Sequence, residues 1–137
     1  MVKPNKMVIC MGDDWAELTA LTEKLTLFFR THQNVNMINP VNLLLEELYS
    51  NTLNYGQCGK AHVTITLEMR DHELLIQYED NGLPFNPFEE AKQPDLGSTL
   101  EERAIGGLGI HFIKNMTDSQ QYERLEGINK ITLRKSC

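Results

Sequence analysis

Two adjacent stretches, HVTITLEM at residues 62–69 and ELLIQYED at residues 73–80, constrain the fold more than anything else in this chain. Side chains of a strand alternate between faces with a period of two. Val63, Ile65, Leu67 and Met69 therefore share one face of the first run, opposite His62, Thr64, Thr66 and Glu68. In the second run Leu74, Ile76 and Tyr78 share a face. The intervening Arg70-Asp71-His72 is short enough to make an antiparallel hairpin with one dry and one wet side. A dry sheet face has to be covered, and helices gathered on that side supply the cover. Asp80 has the parity of Leu74, Ile76 and Tyr78, so the hairpin ends on a carboxylate that faces the core.

The covering helices can be read upstream. Lys6 to Met11 reads as a strand, and Asp13 or Asp14 as the cap of a helix carrying Leu18, Leu21, Leu25, Phe28 and Phe29 to about Thr31. Asn39-Pro40 has the form of an N-cap and first-turn proline, so a second helix is expected from there to Gly56. At about 100° per residue, Val41, Leu44, Leu45, Leu48, Thr52 and Tyr55 form its core stripe. Asn51 projects roughly 20° from Leu44 and Glu47 roughly 40° further round, both toward the core; Glu46 projects the opposite way, toward water. A carboxylate and an amide at the edge of a core face are costly unless something pairs with them.

Three Pro and five Gly lie between Asn81 and Gly109, so a long loop is expected there. A third helix should start at about Gly109, carrying Ile110, Ile113 and Met116. Two strands, about 120–125 and 129–135, close the chain around a turn at Glu126-Gly127, with Asn129 on the face of Ile131 and Leu133. The expected architecture is an α/β (α+β) two-layer sandwich: a mixed, mostly antiparallel sheet of about five strands, covered on one face by three helices. Neither a repeat nor a composition break divides the 137 residues, so one domain over 1–137 is expected.

The formal charge of −6 and the scattered basic residues argue against direct binding to nucleic acid. No apolar run approaches the ~20 residues of a membrane span. Cys10, Cys58 and Cys137 fit neither a disulfide framework nor a zinc motif, and the four His share no ligand spacing. A reduced, cytoplasmic setting is expected.

Four features converge on chemistry: the Glu47/Asn51 pair, Asp80-Asn81-Gly82, the GGLG run Gly106 to Gly109, and Asn129. Each has a plainer reading. The pair can be an ordinary helix edge, Asp-Asn-Gly an ordinary turn, and the glycines a linker. GGLG is neither a Walker A loop, lacking the Lys-Ser/Thr, nor the dinucleotide fingerprint, because Phe112 stands where that needs Gly or Ala. Together they make a coherent nucleotide site. Backbone NH groups at a helix N-terminus suit phosphate, and an amide oxygen suits Mg²⁺. A nearby carboxylate can orient or deprotonate a nucleophile. An inward Asp can accept from an exocyclic amino group, with glycine beside it leaving room for a flat base. Arg103 and Lys114 are candidates to offset the phosphate charge.

In order along the chain, EELYSN resembles the N-box of the GHKL (histidine-kinase-like, Bergerat-fold) ATPases, and EDNGLPFNP their first glycine box in the version DxGxPFxP. GGLGIHFIKNMTDSQQYERLEGINKITLRK resembles the second box and closing strands of the small anti-sigma-factor serine/threonine kinases of partner-switching systems. The resemblance runs from about Val41 to Lys135. It implies a Bergerat fold with ATP and Mg²⁺ as cofactors. By position it implies Asn51 as Mg²⁺ ligand, Glu47 as the catalytic carboxylate, and Asp80 as the adenine acceptor with Gly82 beside it. Gly106, Gly107, Leu108 and Gly109 would hold the phosphates, and residues from about Phe88 to Ile105 would be the ATP lid, with Arg103 near the γ-phosphate. Asn129 stands where the family usually has Thr near the adenine. The implied partners are ATP or ADP, a small antagonist protein bearing the target Ser or Thr, and a sigma factor. A homodimer formed through the sheet is left open. The alternative is a nucleotide-gated binding module of the same fold without kinase activity.

Overall fold

Residues 5–57, 59–90 and 107–137 are described by the computed structural model. The hairpin forms as β2 (Val63–Arg70) and β3 (Glu73–Asp80), with Val63 opposite Asp80, Ile65 opposite Tyr78 and Leu67 opposite Ile76. Asp71, at φ 50°, takes the left-handed conformation of the turn. Around it lie β1 (Lys6–Met11), β4 (Ser119–Leu125) and β5 (Ile128–Ser136), in the order β1-β2-β3-β5-β4. All four pairings are antiparallel, so the expected mixed character is absent among the described strands. β4 and β5 turn through Glu126 and Gly127, both at positive φ (51° and 81°), which matches the right-handed twist of the strands.

The helices are α1 (Glu17–Thr31), α2 (Ile38–Tyr55), the single turn α3 (Pro87–Glu90) and α4 (Gly107–Met116). The N-cap of α1 is Ala16, with no side-chain cap, rather than Asp13 or Asp14; Asp14 closes the turn before it, its side chain accepting from the Ala16 amide at 2.9 Å and its carbonyl from Glu17 N–H at 3.0 Å. The Asn39-Pro40 boundary is wrong by two residues. A 3₁₀ turn over Val35–Met37 runs directly into α2, which puts Asn39 inside the helix rather than at its cap. Pro40 is tolerated as the third residue, because first-turn amides have no partner within the helix. α4 likewise begins at Gly107, two residues before the expected start.

The inward faces meet in one core: Leu21, Leu25 and Phe29 of α1, Leu44, Leu45 and Leu48 of α2, Ile113 of α4, and Ile65, Leu67, Ile76 and Leu133 of the sheet are all almost fully buried. Tyr49, fully buried, lies off the predicted stripe, since its hydroxyl reaches back to the Gly12 and Asp14 carbonyls. Tyr55, placed on that stripe, is 38% exposed. Glu46 is half-buried rather than free in water. It accepts from Asn42 Nδ2 at 3.0 Å, and Asn42 Oδ1 accepts from Thr22 of α1 at 2.8 Å, so Glu46 ends a polar seam between the two helices.

Candidate active site

Asp80 ends β3 on its buried side, 8% exposed, with every observed hydrogen bond coming from a different element. Oδ1 accepts from Gly82 N–H and from Asn129 Nδ2, both at 2.9 Å, and Oδ2 accepts from the Thr52 hydroxyl of α2 at 2.8 Å. Thr52 also lies 2.7 Å from the Tyr78 hydroxyl. A hydroxyl has one proton to give, so the chain that satisfies all three groups runs from Tyr78 through Thr52 to Asp80. The sequence alone presents Thr52 as an ordinary stripe residue, and its role depends on a contact 28 positions away.

Asp-Asn-Gly is more than a turn. Asn81 accepts from His62 N–H and donates to the Lys60 carbonyl, both at 2.8 Å, fastening the entrance of β2 to the exit of β3. A Cβ on Gly82 would stand 2.9 Å from Gly56 Cα and 3.2 Å from Asp80 Oδ1. Gly82 therefore lets the loop touch the end of α2, and Leu83 N–H donates to the Gly56 carbonyl at 2.9 Å. Gly56 keeps helical φ and ψ (−72°, −20°), so close approach rather than a left-handed cap accounts for it.

Asn129 faces Asp80 across the β3–β5 ladder and is 4% exposed. Nδ2 donates to Asp80 Oδ1 and, at 2.7 Å, to the Leu83 carbonyl; Oδ1 accepts from Phe85 N–H and the Tyr122 hydroxyl. Both ends of the amide are thus committed to holding residues 82–85 against the sheet. A threonine has too few polar atoms for all four bonds. Arg124 Nη1 reinforces the same segment through the Gly82 carbonyl at 2.6 Å.

A cleft of about 330 Å³, counting its open mouth, lies between α2, the 83–87 segment and the β3–β5 ends. Asn51, Asp80 and Asn129 line it, together with Tyr78; Tyr55 and Phe85 stack at a centroid distance of 6.2 Å and also line it. Glu47, Gly82 and Gly109 do not. Asn51 is 9% exposed, and its side chain makes no hydrogen bond among the described residues. Glu47 lies one turn earlier on α2 and meets the first turn of α4. A Cβ built on Gly109 would be 2.2 Å from Glu47 Cδ. Glu47 Oε1 is buried without a partner among the described residues, and burial raises its carboxyl pKa above the ordinary value. Gly107 and Leu108 supply the first two backbone positions of α4. Lys114 Nζ is engaged by the Phe88 carbonyl at 3.1 Å, tying α4 to α3. Arg103 and Gly106 lie outside the described residues, as does the expected lid beyond Glu90.

Among the described residues no group of three or more His, Cys, Asp or Glu is arranged for a metal ion. A cation at Asn51 would take most of its ligands from phosphate and water, as Mg²⁺ usually does.

Residues 15–135 match the sequence model of the histidine kinase-like ATPase domain. The chain belongs to that family. It is similar to the serine/threonine-protein kinase BtrW of Bordetella bronchiseptica, with 27% identity over 89 residues, 65% of this chain and 61% of that one. It is also similar to the anti-sigma F factor of Bacillus subtilis, with 31% identity over 85 residues, 59% of this chain and 56% of that one. The serine-protein kinase RsbW of Listeria monocytogenes shares 28% over 100 residues, covering 69% and 63%. The chain thus spans less than two thirds of the length of these relatives. Two solved structures share the fold. The histidine kinase AdeS of Acinetobacter baumannii has TM-score 0.54 and 16% identity, covering 98% of this chain and 68% of that one. The catalytic domain of the histidine kinase ThkA has TM-score 0.52 and 12% identity, covering 93% and 95%. No described helix is long and apolar enough to cross a membrane.

Proposed function

We propose that this chain binds Mg-ATP in the cleft beside α2 and transfers the γ-phosphoryl group to a serine or threonine of a small antagonist protein, as an anti-sigma-factor kinase does, and that it sequesters a sigma factor. The observation that carries the reading is the Glu47 carboxylate. It rests against the first turn of α4 with one oxygen buried and, among the described residues, unbonded, one helical turn from Asn51, whose side chain is also unbonded among them. A carboxylate kept for structure would be paired. One kept for a reacting hydroxyl is left waiting.

Asp80 is held so that Oδ2, already bonded to Thr52, retains acceptor capacity for the amino group of adenine. The first amides of α4 at Gly107, Leu108 and Gly109 have no partners within the helix and suit phosphate oxygens. The donor set at Asn51 fits Mg²⁺, which when bound would neutralise charge on the β- and γ-phosphates. Glu47 would orient the incoming hydroxyl and take its proton as the new O–P bond forms. The bond from the γ-phosphorus to its bridging oxygen breaks, and ADP departs. In such a transfer most of the catalysis is positioning and charge stabilisation. The kinase and anti-sigma names of the relatives support the choice of acceptor and partner.

Labelled ATP incubated with co-purifying proteins tests the reading. Glu47→Ala should cut label transfer by about 100-fold or more while Mg-ATP still binds. Transfer at the wild-type rate would remove Glu47 from the reaction. Nucleotide-dependent capture of a partner that never becomes labelled would instead identify a binding module without catalysis.

A further inference from the structure

We propose that Gly109 is a positioning residue: the space left by its missing side chain is the seat of the Glu47 carboxylate. A Cβ at this position would stand 2.2 Å from Glu47 Cδ, 2.5 Å from Oε2 and 2.6 Å from Cγ, all far inside van der Waals contact. The atoms in the way belong to the end of a flexible side chain, not to backbone. An added methyl group would therefore displace the carboxylate and leave the helices where they are. Among the described residues nothing else at Gly109 demands glycine, since it lies in the regular helix Gly107–Met116 and is absent from the residues with positive φ. Glycine in a helix is unfavourable relative to alanine, so its presence in the first turn needs a reason of this kind.

The seat is a tight one. Glu47 projects from α2, and Gly109 closes over the carboxylate from α4, leaving Oε1 buried and without a partner among the described residues. The glycine thus does more than free a backbone amide for phosphate, because alanine would keep that amide. What alanine would not keep is the direction in which the carboxylate points. The kinetic consequence rests on the proposed function; the packing consequence does not.

The experiment is a double-mutant cycle on the full chain, with Gly109→Ala made in the wild-type and Glu47→Ala backgrounds. Urea midpoints report packing. With Glu47 present the substitution should leave the midpoint unchanged or lower it. In the Glu47→Ala background it should raise the midpoint, because helix propensity then acts unopposed. The same shift in both backgrounds would overturn the proposal. Mg-ATP binding and ATP turnover give a second readout. Gly109→Ala should keep the dissociation constant within about threefold and lower turnover at least tenfold, a split that a merely structural glycine would not produce. Equal losses in binding and turnover would also overturn it. Failure of the wild-type protein to bind Mg-ATP would sink the proposed function, and the urea cycle would still decide the seat.

Discussion

The half-buried carboxyl of Glu47 works against stability at neutral pH. Burial raises its carboxyl pKa, so between the ordinary value and the raised one the folded protein keeps a proton that the unfolded chain has released. Stability contributed at this position therefore falls as pH rises through that window. Glu47→Gln cannot ionise, so at pH 7 it should have a higher urea midpoint than the wild type. The advantage should vanish below the ordinary carboxylate range. Urea denaturation at pH 7 and pH 3 checks both the sign and the disappearance. Asn129 is the opposite case, a residue whose bonds are all made. Asn129→Ala would strip partners from Asp80, the Leu83 carbonyl, Phe85 N–H and the Tyr122 hydroxyl. A buried network losing its centre should cost about 2–4 kcal/mol, read from the same denaturation curves.

Between elements, the contact that most shapes the cleft is the end of α2 on the exit of β3, and it depends on two glycines face to face. A Cβ on Gly82 would meet Gly56 Cα at 2.9 Å and its carbonyl oxygen at 3.3 Å. Backbone cannot swing aside as the Glu47 side chain can, so Gly82→Ala should separate the two segments and cost about 1–3 kcal/mol. Loss of amide protection at Leu83, whose N–H bonds to Gly56, would localise the damage. At this scale legibility follows period. The alternation of β2 and β3 and the apolar repeats of α1 and α2 are strong signals, and those elements fall where the sequence places them. The start of α2 is obscured because Asn39-Pro40 has the form of a cap, while the 3₁₀ turn before it has no pattern of its own. α4 reads short in the sequence because Gly107 and Gly109 look like loop, although Gly109 is there for Glu47. The helix phase is legible, and it separates Glu47 from Glu46. The bonds from Thr52, Tyr78 and Asn129 are not, because cross-strand register and the contact of α2 with β3 have no local signature.

Across the whole molecule, α2, the 83–87 segment and the ends of β3 and β5 enclose the cleft, and α4 packs beside it against Glu47 of α2. Lys114 to Phe88, Leu83 to Gly56 and Arg124 to Gly82 join Thr52 and Asn129 among the hydrogen bonds that draw these parts together. A nucleotide lying across Asp80, Asn51 and the first turn of α4 would join the same parts again. Its effect should therefore appear as global stabilisation rather than a local change. At a hundred times its dissociation constant a ligand that binds only the folded state adds about 2.7 kcal/mol. For a chain of this size that corresponds to a rise of about 10 °C in Tm. The proposed cleft predicts this rise with Mg-ATP, and its loss in Asp80→Asn, where half of the acceptor capacity becomes a donor. Arg134→Ala supplies the control. Its guanidinium pairs with Glu73 at 2.8 Å on exposed side chains, so that variant should keep the full shift. Equal shifts in the wild type and Asp80→Asn would place the nucleotide elsewhere on the protein.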